Sequence, residues 1–159
     1  GSRCKRRSGK YMAEHQAGIG KIPARYQLVT RKRIGLLSAM INVFKDGAIL
    51  AMIGDLRQAD FRNIPGVSFT EPPTHPPSSA AVRIPLVGNN KTLVAHSLLP
   101  RIGLRKRVWN VEIIVEDAVV FAAYDGFDAD CVWVIASVGE TFVQGLIAER
   151  HIWSFMKVD

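Results

Sequence analysis

The sequence predicts an α+β fold: a single domain in which a mixed or antiparallel sheet is packed by two short helices, with a flexible basic arm in front. Three observations predict it. Short apolar runs with period-two alternation crowd the second half of the chain. Helical spacing is found at two places, near 36–44 and 140–149. Basic residues gather at the N-terminal end. The 159 residues, 48% hydrophobic and 22% charged, suit one globular domain with a sizeable core.

Residues 1–24 read as the arm, being rich in Lys, Arg, Gly and Ser without apolar periodicity. Gly18, Gly20 and Pro23 oppose a regular element there. Gly1-Ser2 reads as a protease-cleavage scar. The globular domain is expected over 25–159. Tyr26 to Thr30 alternates as a first strand. Leu36, Leu37, Met40, Ile41 and Phe44 mark one face of a helix. Lys45-Asp46-Gly47 is a turn signal, and Ala48 to Ile53 an apolar strand. Leu56 to Phe61 is compatible with more than one state.

Residues 65–79 are predicted to be an exposed Pro-rich loop. Pro72, Pro73, Pro76 and Pro77 fix φ and remove backbone donors, so neither helix nor sheet runs through them. Val82 to Val87 and Thr92 to Leu98, flanking Gly88-Asn89-Asn90-Lys91, read as a hairpin. Val108 to Glu116 alternates as a half-buried strand, with Trp109, Val111, Ile113 and Val115 on one face. Glu116-Asp117 turns the chain into a run from Ala118 to Tyr124. An acidic loop, Asp125 to Asp130, leads to an apolar strand from Cys131 to Ala136. A helix is expected over Glu140 to Glu149, with Ser137 as cap and Glu140 three residues later. His151 to Val158 closes the chain as a strand.

Charge placement carries the functional reading. Residues 1–33 hold ten Lys/Arg against Glu14 alone, a net +9, while 34–159 sum to −2. The basic residues are Arg3, Lys5, Arg6, Arg7, Lys10, Lys21, Arg25, Arg31, Lys32 and Arg33. A flexible cationic segment gains affinity for phosphates by releasing condensed counterions. Near an anionic bilayer each basic residue contributes about 1 kcal/mol. A second cluster, Arg101, Arg105, Lys106 and Arg107 beside Trp109, extends the candidate polyanion-binding set. Without a specific partner, the arm is a solvated tail and the second cluster a charged strand entry with snorkelling stems.

Chemistry-bearing motifs are sparse. No P-loop, GxGxxG, HExxH, CxxC or GxSxG pattern occurs. The chain is therefore read as a non-enzyme, with no catalytic residue, metal site or cofactor. Asp125, Asp128 and Asp130 lack the spacing and bidentate Glu of an EF-hand. Cys4 and Cys131 lie far apart and are expected to be reduced thiols. No apolar run reaches 18 residues, which excludes a helical membrane span. Val67 and Phe69 put apolar side chains beside the Pro-rich loop, suited to docking on lipid or another copy.

Three stretches carry a family resemblance. Ala48-Ile49-Leu50-Ala51-Met52-Ile53-Gly54 precedes the long loop. Arg101-Ile102-Gly103-Leu104-Arg105-Lys106 precedes Val111-Glu112-Ile113-Ile114-Val115. Phe142-Val143-Gln144-Gly145-Leu146-Ile147-Ala148-Glu149 precedes Trp153. With the order of elements, these resemble the rhabdovirus matrix proteins over residues 25–158. Pro72-Pro73-Thr74-His75 departs from the family's PPxY motif, having His in place of Tyr. The resemblance implies a virion structural protein at the inner face of the host membrane. It would join acidic lipid to ribonucleoprotein or RNA and self-associate, through 65–79 among other contacts. Two other classes fit the same charge pattern. One is a nucleic-acid-binding or coat protein with a basic arm. The other is a basic ribonuclease-type toxin using His and Lys, for which His15, His75, His96 and His151 supply scattered candidates.

Overall fold

The computed structural model describes residues 23–70 and 79–159. The expected arm over 1–24 and the four prolines at 72–77 therefore fall outside the described residues, except that Pro23 and Ala24 are included. Ala24 is already fastened to the body: its carbonyl accepts a hydrogen bond from the Ala136 amide at 2.9 Å.

Among the described residues, eight strands form one antiparallel sheet: β1 (Arg25–Thr30), β2 (Ile49–Gly54), β3 (Ser68–Thr70), β4 (Ala80–Pro85), β5 (Val108–Val115), β6 (Ala118–Ala123), β7 (Val132–Ile135) and β8 (Ile152–Val158). Their order is β3-β4-β2-β5-β6-β7-β1-β8. The chain thus builds one wing (β2 to β5), continues through β6 and β7, and closes by inserting β1 between β7 and β8. Pairing of the first strand with the last fastens the two ends of the domain. Glu116 and Asp117 both have positive φ (51° and 67°), which suits the tight β5–β6 turn.

Three helices lie among the described residues, one more than expected. Helix α1 (Arg33–Val43) buries Leu36, Leu37, Met40 and Ile41. Helix α2 is a continuous run over 90–102: an α turn (Asn90–Leu93), a π turn (Val94–Leu98) and a second α turn (Leu99–Ile102). Helix α3 (Glu140–Ala148) buries Val143 and Leu146, with Phe142 and Ile147 half-buried.

Helix α2 replaces the second strand of the expected hairpin. Val94, Leu98, Leu99 and Ile102 are all buried at i, i+4, i+5, i+8, the helical spacing that a turn reading of Gly88-Asn89-Asn90 obscured. Asn90 is itself buried, its side-chain amide donating to the carbonyls of Pro65 (2.9 Å) and Pro85 (2.7 Å). The asparagine therefore anchors a helix start rather than forming a hairpin tip. Three further expectations are corrected. Ser68–Thr70 forms an edge strand on β4 inside the segment read as loop, because its backbone finds partners in Ala81 to Arg83. The N-cap of α3 is Gly139, and Ser137 sits in the preceding 3-10 turn. Strand β5 is buried on both faces instead of one.

That last correction reflects two hydrophobic clusters. The first holds every buried apolar helix side chain together with Leu28, Leu50, Met52, Val82, Ile84, Val111, Ile113, Phe121 and Val134. Cross-strand partners share a face, so the pairs Leu50–Ile113 and Met52–Val111 place this cluster on one side of the sheet. The second cluster is Ile114, Val119, Ala122, Tyr124, Cys131 and Trp133, flanked by Ile49 and Ala51, on the opposite side. Glu112 lies on that side between Ala51 and Ala122 and accepts a 2.7 Å hydrogen bond from the Tyr124 hydroxyl. Cys131 is disulfide-bonded, which overturns the expectation of a reduced thiol there; its partner lies outside the described residues.

Candidate polyanion-binding groove

The first turn of α1 is brought against the start of β8. The amides of Arg31 and Lys32 both donate to the His151 carbonyl, at 2.9 and 3.1 Å. Gly35 makes this possible, since a Cβ there would fall on the His151 imidazole. The approach places Arg31 over Trp153, its guanidinium carbon 4.0 Å from the ring centroid. Trp153 is 60% exposed and Ile34 41% exposed, so two large apolar groups stand at the surface beside three consecutive cations.

From the other side comes the end of α2. Gly103, at φ 75°, ends the helix in the left-handed conformation, and the amides of Lys106 and Arg107 turn back onto its carbonyl. This turn carries Arg105 toward α1. Lys32, Arg33, Ile34 and Gly35 at the start of α1, together with Leu99, Pro100, Gly103, Leu104 and Arg105, line one groove of about 480 Å³. It has an apolar floor, three cations and no carboxylate among its lining residues. Lys32 is the N-cap of α1 and makes no side-chain cap bond, and the helix has no acid in its first turn. Two cations at the positive end of a helix repel the aligned peptide dipoles. An anion held there relieves the repulsion and accepts the amides left without intrahelical partners. Arg33 is steadied by its own bond, Nε donating to the Gly126 carbonyl at 3.2 Å.

The structure thus joins one member of the second basic cluster, Arg105, to the first and sends Arg101 and Arg107 elsewhere. Arg107 donates to the Gln58 side chain, and its backbone carbonyl accepts from the Asp55 amide at 2.7 Å. Its charge is among those that hold the Asp55 carboxyl low, after the dominant hydrogen bonds from Arg57. Arg101 lies near Asp60 in the same way, after Arg62, and lines a separate cavity with Gln58 and Ser97. Lys106 is exposed, and Arg25 is half-buried at the start of β1. Arg3, Lys5, Arg6, Arg7, Lys10 and Lys21 lie outside the described residues, as do Pro72, Pro73, Pro76 and Pro77.

No family model, curated protein or solved structure matches this chain.

At the far edge of the sheet, Val67 packs inward against the first core, whereas Phe69 is 56% exposed and meets Phe61 edge-on at 5.3 Å between centroids. Both line a cavity of about 600 Å³ with Asp60 and Arg62 at its rim. Among the described residues no three His, Cys, Asp or Glu side chains gather as a metal cage, and no helix is long and apolar enough to cross a membrane. His96 is exposed on α2, while His151 lies by α1 with Nε2 3.1 Å from Glu149. Ile34 and Trp153 were missed by sequence reasoning as site residues. Apolar residues inside an apolar-rich segment give no signal of exposure until packing has chosen which of them turn outward.

Proposed function

We propose that the protein is a structural adaptor of matrix type that binds the phosphate-bearing surface of an acidic membrane, carries ribonucleoprotein or RNA on the same charge, and self-associates. The observation that carries this reading is the groove in which Lys32, Arg33 and Arg105 meet from opposite halves of the chain, next to exposed Ile34 and Trp153. Cations alone serve nucleic acid and lipid equally well. Exposed apolar side chains beside them favour lipid, because they enter the acyl boundary while the cations stay at headgroup level. The likeness of 48–54, of 101–106 with 111–115, and of 142–149 with Trp153 to rhabdovirus matrix proteins points the same way, to a virion component at the inner face of the membrane. Self-association would multiply weak single contacts into avidity, and the exposed edge strand β3 with Phe69 is the surface offered for it.

The test is co-sedimentation with vesicles of phosphatidylcholine alone and with added phosphatidylserine. Binding is expected to need the acidic lipid and to weaken with salt. The triple change Lys32→Glu, Arg33→Glu, Arg105→Glu is expected to abolish it. Indifference to acidic vesicles, with tight salt-dependent retention of RNA, would replace this reading by the basic-armed coat protein.

A further inference from the structure

Helix α2 has two flanks, and they line different cavities. Leu99, Pro100 and Gly103 face the cationic groove. Leu93, Ser97, Leu98 and Arg101 face a second cavity of about 320 Å³, whose far wall comes from residues 58–64. Pockets that take one small molecule begin near this size, at about 300 Å³. Ile64, Leu93 and Leu98 give the cavity an apolar wall, the first and last buried and Leu93 half-buried. Two of the lining residues, Ser97 and Leu98, belong to the π turn Val94–Leu98, and π turns inside helices are frequent at functional sites.

The polar groups stand at the mouth, and most are uncommitted. The side chains of Asn63, Ser97 and Arg101 make no hydrogen bond or ion pair with any described residue. Asp60 does not take up Arg101, because Arg62 holds both of its carboxyl oxygens at 3.0 Å. An arginine whose nearest carboxylate is already clasped keeps its fork of donors for an outside anion. The same clasp holds the Asp60 carboxyl ionised, and Oδ2, with a single bond, remains an acceptor. Arg107 engages the side-chain oxygen of Gln58, which leaves the Gln58 amide nitrogen as a donor.

We propose that this cavity binds one ribonucleotide, with its phosphate on Arg101, its ribose hydroxyls on Asp60 and its base against Leu93 and Leu98, where Asn63 and Gln58 read its edge.

Each part of the cavity meets a part of that ligand. A guanidinium takes phosphate oxygens two at a time. A carboxylate accepts from ribose hydroxyls, as nucleotide sites commonly arrange. Carboxamides present donor and acceptor side by side, the pattern of a base edge, and apolar side chains take the base face. A bare anion is the poorer fit, since it would use Arg101 alone, leave the apolar wall empty and be repelled by Asp60. The nucleotide comes either free or as a splayed-out residue of single-stranded RNA, whose unstacked bases are open to such contacts. In the second case RNA and lipid headgroups occupy opposite flanks of α2 and are held at once. That consequence rests on the proposed function, whereas the nucleotide site does not.

The test is an NMR titration of the isotope-labelled full chain with adenosine and uridine 5′-monophosphates. At least one is expected to bind with a dissociation constant below about 1 mM, moving the amides of 58–64 and 93–101. Shifts at Lys32 to Gly35 in their place would put the nucleotide in the cationic groove and overturn the proposal. Ribose 5-phosphate and inorganic phosphate are expected to bind about tenfold more weakly, the loss of the base contacts; equal affinity overturns the base site. Arg101→Gln and Asn63→Ala, both at exposed positions, should each weaken the nucleotide about tenfold without moving the denaturation midpoint. Unchanged affinity in both overturns the site. A short single-stranded RNA that moves the same amides at lower concentration identifies RNA as the source, whereas a mononucleotide that binds as tightly as the RNA identifies the free nucleotide. Phosphatidylserine vesicles that displace the nucleotide overturn the two-flank arrangement. Vesicles that do not bind at all defeat the adaptor reading instead, and the titration still decides the nucleotide site.

Discussion

The Arg31 guanidinium lies over the Trp153 ring, its central carbon 4.0 Å from the ring centroid, and Trp153 is 60% exposed. Such a pair at an exposed site contributes about 0.5–1 kcal/mol. Its larger effect is to hold an aromatic ring outward beside Lys32 and Ile34. Trp153→Ala is therefore expected to change the denaturation midpoint little while weakening vesicle binding severalfold. Co-sedimentation and denaturant unfolding on the same preparation check both halves. An unchanged affinity would remove Trp153 from the binding surface.

Asn90 is expected to matter more to stability than any exposed cation. Its amide bridges the carbonyls of Pro65 and Pro85 in a buried position. Asn90→Ala leaves both acceptors short of a partner and should cost about 2–4 kcal/mol at roughly 1–2 per lost buried bond. Proteolysis within 65–70 should accelerate in parallel.

Tyr124→Phe removes the hydroxyl that donates to Glu112 at 2.7 Å without changing the shape of the ring. Loss of this buried bond should lower stability by about 1–3 kcal/mol. Urea unfolding measures it, and a change below the error of the midpoint would show that Glu112 relies on other contacts.

Arg57 and Arg62 each clasp the carboxyl two residues before them with two side-chain bonds of 2.8–3.0 Å. Those bonds hold Asp55 and Asp60 down to about 2 from an ordinary 3.8. The folded value lies below the unfolded one. The contribution is therefore complete above about pH 4 and is lost as pH falls through 3.8 toward 2. Carboxyl NMR titration should find both midpoints near 2, with Arg57→Ala returning Asp55 toward 3.8. Midpoints near 3.8 in the unaltered protein would show that the clasps do not persist in solution.

Gly54 ends β2 directly against the backbone of Arg107 and Val108, where a Cβ would fall on the Arg107 carbonyl. Gly54→Ala should push β2 away from the start of β5 and destabilise by about 1–3 kcal/mol, as overpacking does. The loss should appear in thermal unfolding and in amide exchange at Asp55, whose amide bonds to that carbonyl.

Helices α1 and α3 and most strands were legible because their apolar periods are clean: Leu36, Leu37, Met40 and Ile41 can share only a helical face, and Val111 with Ile113 only a strand face. Helix α2 was not, because Gly88-Asn89-Asn90 has the composition of a hairpin turn and local chemistry does not reveal that Asn90 will find two buried carbonyls. The second buried face escaped for a related reason. Asn110 and Glu112 mark the outer side of a strand by composition, and only the arrangement of neighbours such as Tyr124 makes their burial tolerable.

By itself the sequence determined that this is an α+β domain and that its positive charge is sorted toward the front, since both follow from residue order alone. The tertiary structure decided which cations act together. Arg105 joined Lys32 and Arg33 while Arg101 and Arg107 turned to Asp60 and Asp55. Coulomb interactions depend on distance in space, and the chain between Arg33 and Arg105 fixes that distance through packing, which no local pattern encodes.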